Sequence, residues 1–137
     1  MLLGLIPTIL IICAHVLNLH WISRHFHVRL PRGFHRDQAL GGVLITFQLL
    51  VIILGLHALN VVYWAVFARW VGAFPHFEEA SFFVLENYTG LGLTRIEIPE
   101  LWRSVAVYIS LTGVVCLAWS TSVLVNVNSH LLAPPDR

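Results

Sequence analysis

The stretch with the most chemical potential runs from Glu86 through Asn87-Tyr88-Thr89-Gly90-Leu91-Gly92-Leu93-Thr94 to Arg95 and closes at Pro99. Two glycines alternate with leucines, charged residues flank them, and a short amphipathic run from Phe77 to Leu85 leads in. Pro75, followed by Glu78 and Glu79, marks a helix start, with acids where the macrodipole favours them. The helix from there to Tyr88 has about three turns, too few to cross a bilayer. Its C-terminal end carries partial negative charge and suits a cation. Non-helical backbone at membrane depth must be buried in protein or line a water-filled cavity. A short helix and a Gly-x-Gly turn between two long apolar segments therefore read as a re-entrant loop.

Histidine is the other residue type with chemistry to offer. His20, His25, His27 and His35 do not repeat at i, i+3 or i+4, and only Asp37 could join them as a carboxylate. The spacing argues for a solvated loop and against a metal cluster. His15 and His57 lie inside apolar segments and could ligate a haem in principle. Hydrogen bonding between packed helices is the better reading, since polar groups in lipid face other helices. Cys13 and Cys116 each sit in an apolar run and have no metal or disulfide spacing.

The elements that would position these residues are long and apolar. Of 137 residues, 58% are hydrophobic and 11% charged, with a mean hydropathy of +0.80. A soluble domain carries roughly twice that share of charge. The chain reads as an integral membrane protein with no nucleic-acid partner and no enzymatic residue set. Met1 to His20 forms a first span without the basic start or cleavage site of a signal peptide. Residues 21–38 follow as a loop in which Arg24, Arg29, Arg32 and Arg36 oppose only Asp37, which places it on the cytoplasmic side. The N-terminus is then outside. A second span fills 39–70 and ends in Tyr63, Trp64 and Trp70, suited to the outer interface. A third span, 100–127, brings the C-terminus back inside, with 129–137 as a short tail. On that span Ser110, Gly113, Leu117 and Thr121 share a stripe that is more polar than the opposite face. Such a stripe serves a pore lining or close helix packing equally well.

From His57 to about 127, roughly half the chain, the sequence resembles the pore domain of the potassium channel superfamily, specifically small bacterial proteins with one pore domain per chain. The residues that carry the resemblance are His57, Trp64-Ala65, Glu79-Ala80, Phe82-Phe83, Tyr88-Thr89, the Gly90–Arg95 run, Pro99, Trp102-Arg103 and Gly113 to Thr121. The resemblance implies an all-α membrane fold of three transmembrane helices plus a re-entrant pore helix, 76–88, and filter, 89–96. It implies four chains around one axis in the cell (inner) membrane, as a homotetramer or with another channel subunit. Permeant monovalent cations would be the only ligands, with no cofactor and no resident metal.

In that family, backbone carbonyls replace the ion's water, in a row made possible by glycine backbone angles. The filter positions here are Thr89, Gly90, Leu91, Gly92, Leu93 and Thr94, supported by Tyr88, Glu86 and Arg95. Several of them depart from the family pattern. Gly90 lacks the innermost hydroxyl, Leu93 lacks the bracing tyrosine, Thr94 replaces the second glycine, and Arg95 replaces an acid. A register shifted by two restores both glycines as Gly90 and Gly92 but needs gaps on both flanks. The expected function is a cation channel with weak potassium selectivity. The alternatives are a channel-like subunit that does not conduct and a small haem- or metal-binding membrane protein. Glu86 and Arg95 are expected to form a charge-assisted hydrogen bond behind the filter.

Overall fold

The structure, a computed structural model, describes residues 4–29, 39–92 and 100–132. They form four helices: α1 (Leu5–Arg29), α2 (Ala39–Trp70), α3 (Phe77–Tyr88) and α4 (Glu100–Leu132). Three of them, α1, α2 and α4, are long and apolar enough to cross a membrane.

Pro7 sits in the first turn of α1, where a missing N–H costs nothing, and the Thr8 hydroxyl donates to the Gly4 carbonyl at 2.7 Å. The helix does not stop at His20. It continues through Trp21–Arg29, where the sequence leads one to expect loop, because Arg, His and Ile tolerate helix and no breaker occurs before Pro31. For the same reason α4 runs on past residue 127 to Leu132, taking in four residues expected in the tail; the next breaker is Pro134.

The ends of α2 and α3 share one device. After α2, Ala73 N–H bonds the Ala68 carbonyl and Gly72 N–H the Arg69 carbonyl, with Gly72 at φ +78°. After α3, Leu91 N–H bonds the Glu86 carbonyl and Gly90 N–H the Asn87 carbonyl, with Gly90 at φ +76°. Both are Schellman caps, which satisfy orphaned carbonyls and require a residue at ease in the left-handed region.

The directions of the long helices follow from their contacts. A Cβ on Gly4 would lie 2.5 Å from the Tyr108 ring, and His15 bonds Ser120, so α1 and α4 run parallel. Thr46 bonds Asn128 at 2.7 Å while His57 bonds Ser120, so α2 is antiparallel to both. The short helix α3 packs between α2 and α4 at the end of the bundle where α2 finishes and α4 begins.

Two apolar clusters make the interior. One gathers around α3, with Trp64, Phe74, Phe83, Val84, Ile109 and Cys116 among its members. The other, toward the opposite end, joins Leu19, Phe26, Leu49, Ile53, Val127 and Leu131 from the three long helices. On each long helix a layer of buried polar residues separates the two clusters; Thr8 and Thr112, also buried, lie outside it.

Candidate functional site

Each helix contributes to that polar layer: His15 from α1, His57 and Asn60 from α2, Tyr88 from α3 and Ser120 from α4. All but Tyr88 interrupt apolar helices; Tyr88 is the last residue of α3. Five hydrogen bonds close them into a ring. His15 Nε2 meets Ser120 Oγ at 3.0 Å, and Ser120 Oγ meets His57 Nε2 at 3.1 Å. His57 Nδ1 meets the Tyr88 hydroxyl at 2.8 Å. Asn60 Nδ2 reaches Tyr88 Oη at 3.0 Å and His15 Nδ1 at 2.9 Å. All five side chains are buried, Tyr88 to 3% exposure and His15 to 1%. Buried polar groups are tolerated when fully paired, and a network spanning four elements fixes their relative positions.

The ring holds the tip of α3. Tyr88 is clamped by its hydroxyl on one side and by its backbone on the other. A Cβ on Gly113 would lie 2.0 Å from the Tyr88 carbonyl oxygen, so only glycine lets α4 approach this closely. Beside it, Ser110 donates to the Asn87 carbonyl at 2.9 Å. Counted along α2 from Trp70 to His57, or along α4 from Glu100 to Gly113, the tip of α3 lies about 20 Å below the end where α3 enters. That is more than half of the ~30 Å thickness of a hydrocarbon core.

No protein family, curated protein or solved structure matches the chain.

Of the residues proposed for the filter, Thr89, Gly90, Leu91 and Gly92 are described, and all four are exposed. Gly92 adopts φ +59°, so positive angles fall on the alternate residues Gly90 and Gly92. Its N–H turns back to the Glu86 carbonyl at 3.3 Å. Leu93, Thr94 and Arg95 lie outside the described residues, and with Arg95 goes the expected pair to Glu86. The Glu86 Oε2 atom is buried and has no hydrogen-bond partner among the described residues.

The stripe of α4 divides. Ser110 and Gly113 are occupied against α3, whereas Leu117 and Thr121 are exposed, the Thr121 hydroxyl turned onto the Leu117 carbonyl. The other exposed polar side chains on this half of α4 are Ser122, Asn126 and Ser129.

His15 and His57 do make helix-to-helix hydrogen bonds, with Ser120 and Asn60 as intermediaries. Their ring centroids are 4.9 Å apart and all four ring nitrogens are hydrogen-bonded to side chains. A haem iron bound by both would need its macrocycle between the rings, where that separation leaves no room. Among the described residues no group of three His, Cys, Asp or Glu is placed to hold a metal ion. The ring as a unit escaped sequence reading, although each long helix announced its share with a polar interruption near its middle.

Proposed function

We propose that four copies assemble around a common axis and that α3 and the 89–94 backbone form a pore for monovalent cations. One observation carries this reading. Thr89 to Gly92 is non-helical, exposed backbone at about mid-depth of a bundle whose long helices can span a membrane. Such backbone is stable there only if other copies cover it or water lines it. The C-terminal end of α3 points its partial negative charge into the same place, which favours a cation. In this reading α1 is an additional helix outside the pore domain, with its N-terminus on the outer face and the end of α4 in the cytoplasm.

Weak discrimination between K⁺ and Na⁺ is expected, because Gly90 brings no hydroxyl and Thr94 stands where a second glycine would serve. Purified protein in planar bilayers under bi-ionic conditions tests this. A reversal potential close to zero supports the proposal, and a strong K⁺ preference overturns it. Restoring Thr at Gly90, Tyr at Leu93 and Gly at Thr94 should move the potential toward K⁺.

A second reading has its own support. The Gly90 cap folds Leu91 and Gly92 N–H groups back onto Glu86, which closes α3 with a helix stop instead of an extended strand of carbonyls. A channel-like subunit that does not conduct would look this way. Absence of any current from tetrameric protein would favour it.

A further inference from the structure

We propose that the His15–Ser120–His57–Tyr88–Asn60 ring is a proton-binding site, that it takes one proton, and that His57 receives it. The site stands independently of whether the protein conducts.

The hydrogens can be counted. Asn60 Nδ2 lies within bonding distance of both His15 Nδ1 and Tyr88 Oη, and an amide nitrogen has one hydrogen for each. His15 Nδ1 is then an acceptor, so the neutral ring carries its hydrogen on Nε2 and donates it to Ser120. His57 is left with two choices. Either Ser120 donates to its Nε2 and its Nδ1–H donates to Tyr88, or Tyr88 donates to its Nδ1 and its Nε2–H donates to Ser120. Both orders fill all five bonds. Turning the Asn60 amide over breaks this balance: its oxygen would need hydrogens from His15 and Tyr88, and the neutral ring would be one hydrogen short. The orientation with nitrogen inward is therefore that of the neutral ring.

Adding a proton from bulk water has different consequences at the two histidines. On His57 the proton takes the lone pair of whichever nitrogen was accepting. Both nitrogens then donate, to Ser120 Oγ and Tyr88 Oη, and each oxygen has room for a second donor. The displaced hydroxyl hydrogen has somewhere to go. For Ser120 it is the Cys116 carbonyl four residues back, the same i−4 relation by which the Thr112, Thr121 and Ser122 hydroxyls each donate to their own carbonyl on this helix. For Tyr88 it is the Cys116 sulfur, which lies against its hydroxyl. On His15, by contrast, a proton at Nδ1 faces the Asn60 amide hydrogens and forces the amide to turn.

The titratable groups facing His57 are His15 from α1, Tyr88 from α3 and Cys116 from α4. No hydrogen bond joins a ring member to a carboxylate or guanidinium among the described residues. One charged imidazole opposes a second 4.9 Å away, which limits the ring to a single proton.

The test is the nitrogen NMR spectrum of ¹⁵N-histidine-labelled full-length protein in nanodiscs, titrated with acid. His15→Gln and His57→Gln variants assign the signals. Expected is one proton entering at His57 while His15 stays neutral with its hydrogen on Nε2. Uptake first at His15, independent uptake by both, or no uptake before unfolding would each overturn the proposal. Asn60→Asp supplies a second readout: its carboxylate accepts from both His15 and Tyr88, so this ring should already hold its extra proton at neutral pH. Two uncharged imidazoles in that variant at neutral pH would contradict the assignment.

Discussion

Glycine does opposite jobs at two positions in the long helices. At Gly113 a Cβ would strike the Tyr88 carbonyl, whereas at Gly55 it would meet nothing within 4 Å. Gly113→Ala must push α4 away from α3 and should cost about 1–3 kcal/mol, the usual range for overpacking. Gly55→Ala removes backbone freedom at no steric cost and should gain up to about 1 kcal/mol. Thermal unfolding of the two variants in the same detergent measures both, and equal effects would contradict the close approach. The sequence identified Gly113 as a small residue suited either to packing or to a pore wall. It could not decide between them, since the deciding fact is where the carbonyl of a residue 25 positions earlier comes to rest. Ser120 and Asn60 were hidden for a related reason: one hydroxyl or amide in an apolar helix gives no hint of its partner on another.

At the scale of elements, the helices were legible because their apolar lengths and their Pro and Gly punctuation are local signals. Their ends were less so. Arginine and histidine between Trp21 and Arg29 signal polarity, which suggested a loop, but polarity does not break a helix. The extra turns lengthen α1 beyond what a bilayer crossing needs and carry Trp21, which is 69% exposed, and Arg24 toward the interface. The parallel pairing of α1 with α4 invites a direct test. Cysteines placed at Gly4 and Tyr108, in a chain lacking Cys13 and Cys116, should be joined by a short bifunctional thiol reagent. Cysteines at Gly4 and Ser129 should not, because these lie at opposite ends of the bundle.

For the whole molecule, the expected tetramer and its filter rest on backbone that a single chain leaves uncovered. The charge state of the ring matters to that assembly. A proton on His57 puts positive charge beside the tip of α3, where the proposed pore draws cations. Lowering pH adds that charge, so cation current should fall on acidification and recover on return to neutral pH. His57→Gln keeps a side chain that can bond Ser120 or Tyr88 yet takes no proton, and should conduct with this inhibition lost. Single-channel recordings at two pH values on both proteins give the comparison. A His57→Gln channel inhibited by acid as strongly as the parent would separate the ring from the pore.

The contact between Gly113 and Tyr88 also divides α4 into two unequal arms. Gly113 stands about 20 Å from the Glu100 end of the helix and about 29 Å from the Leu132 end, at 1.5 Å per residue. The longer arm is moored twice more, by Ser120 to His15 and His57 and by Asn128 to Thr46. Pinned at three depths, α4 cannot tilt about one of these points without breaking a contact at another. The shorter arm, before Ser110, makes no side-chain hydrogen bond to another helix among the described residues and is held by the packing of Val105 and Ile109.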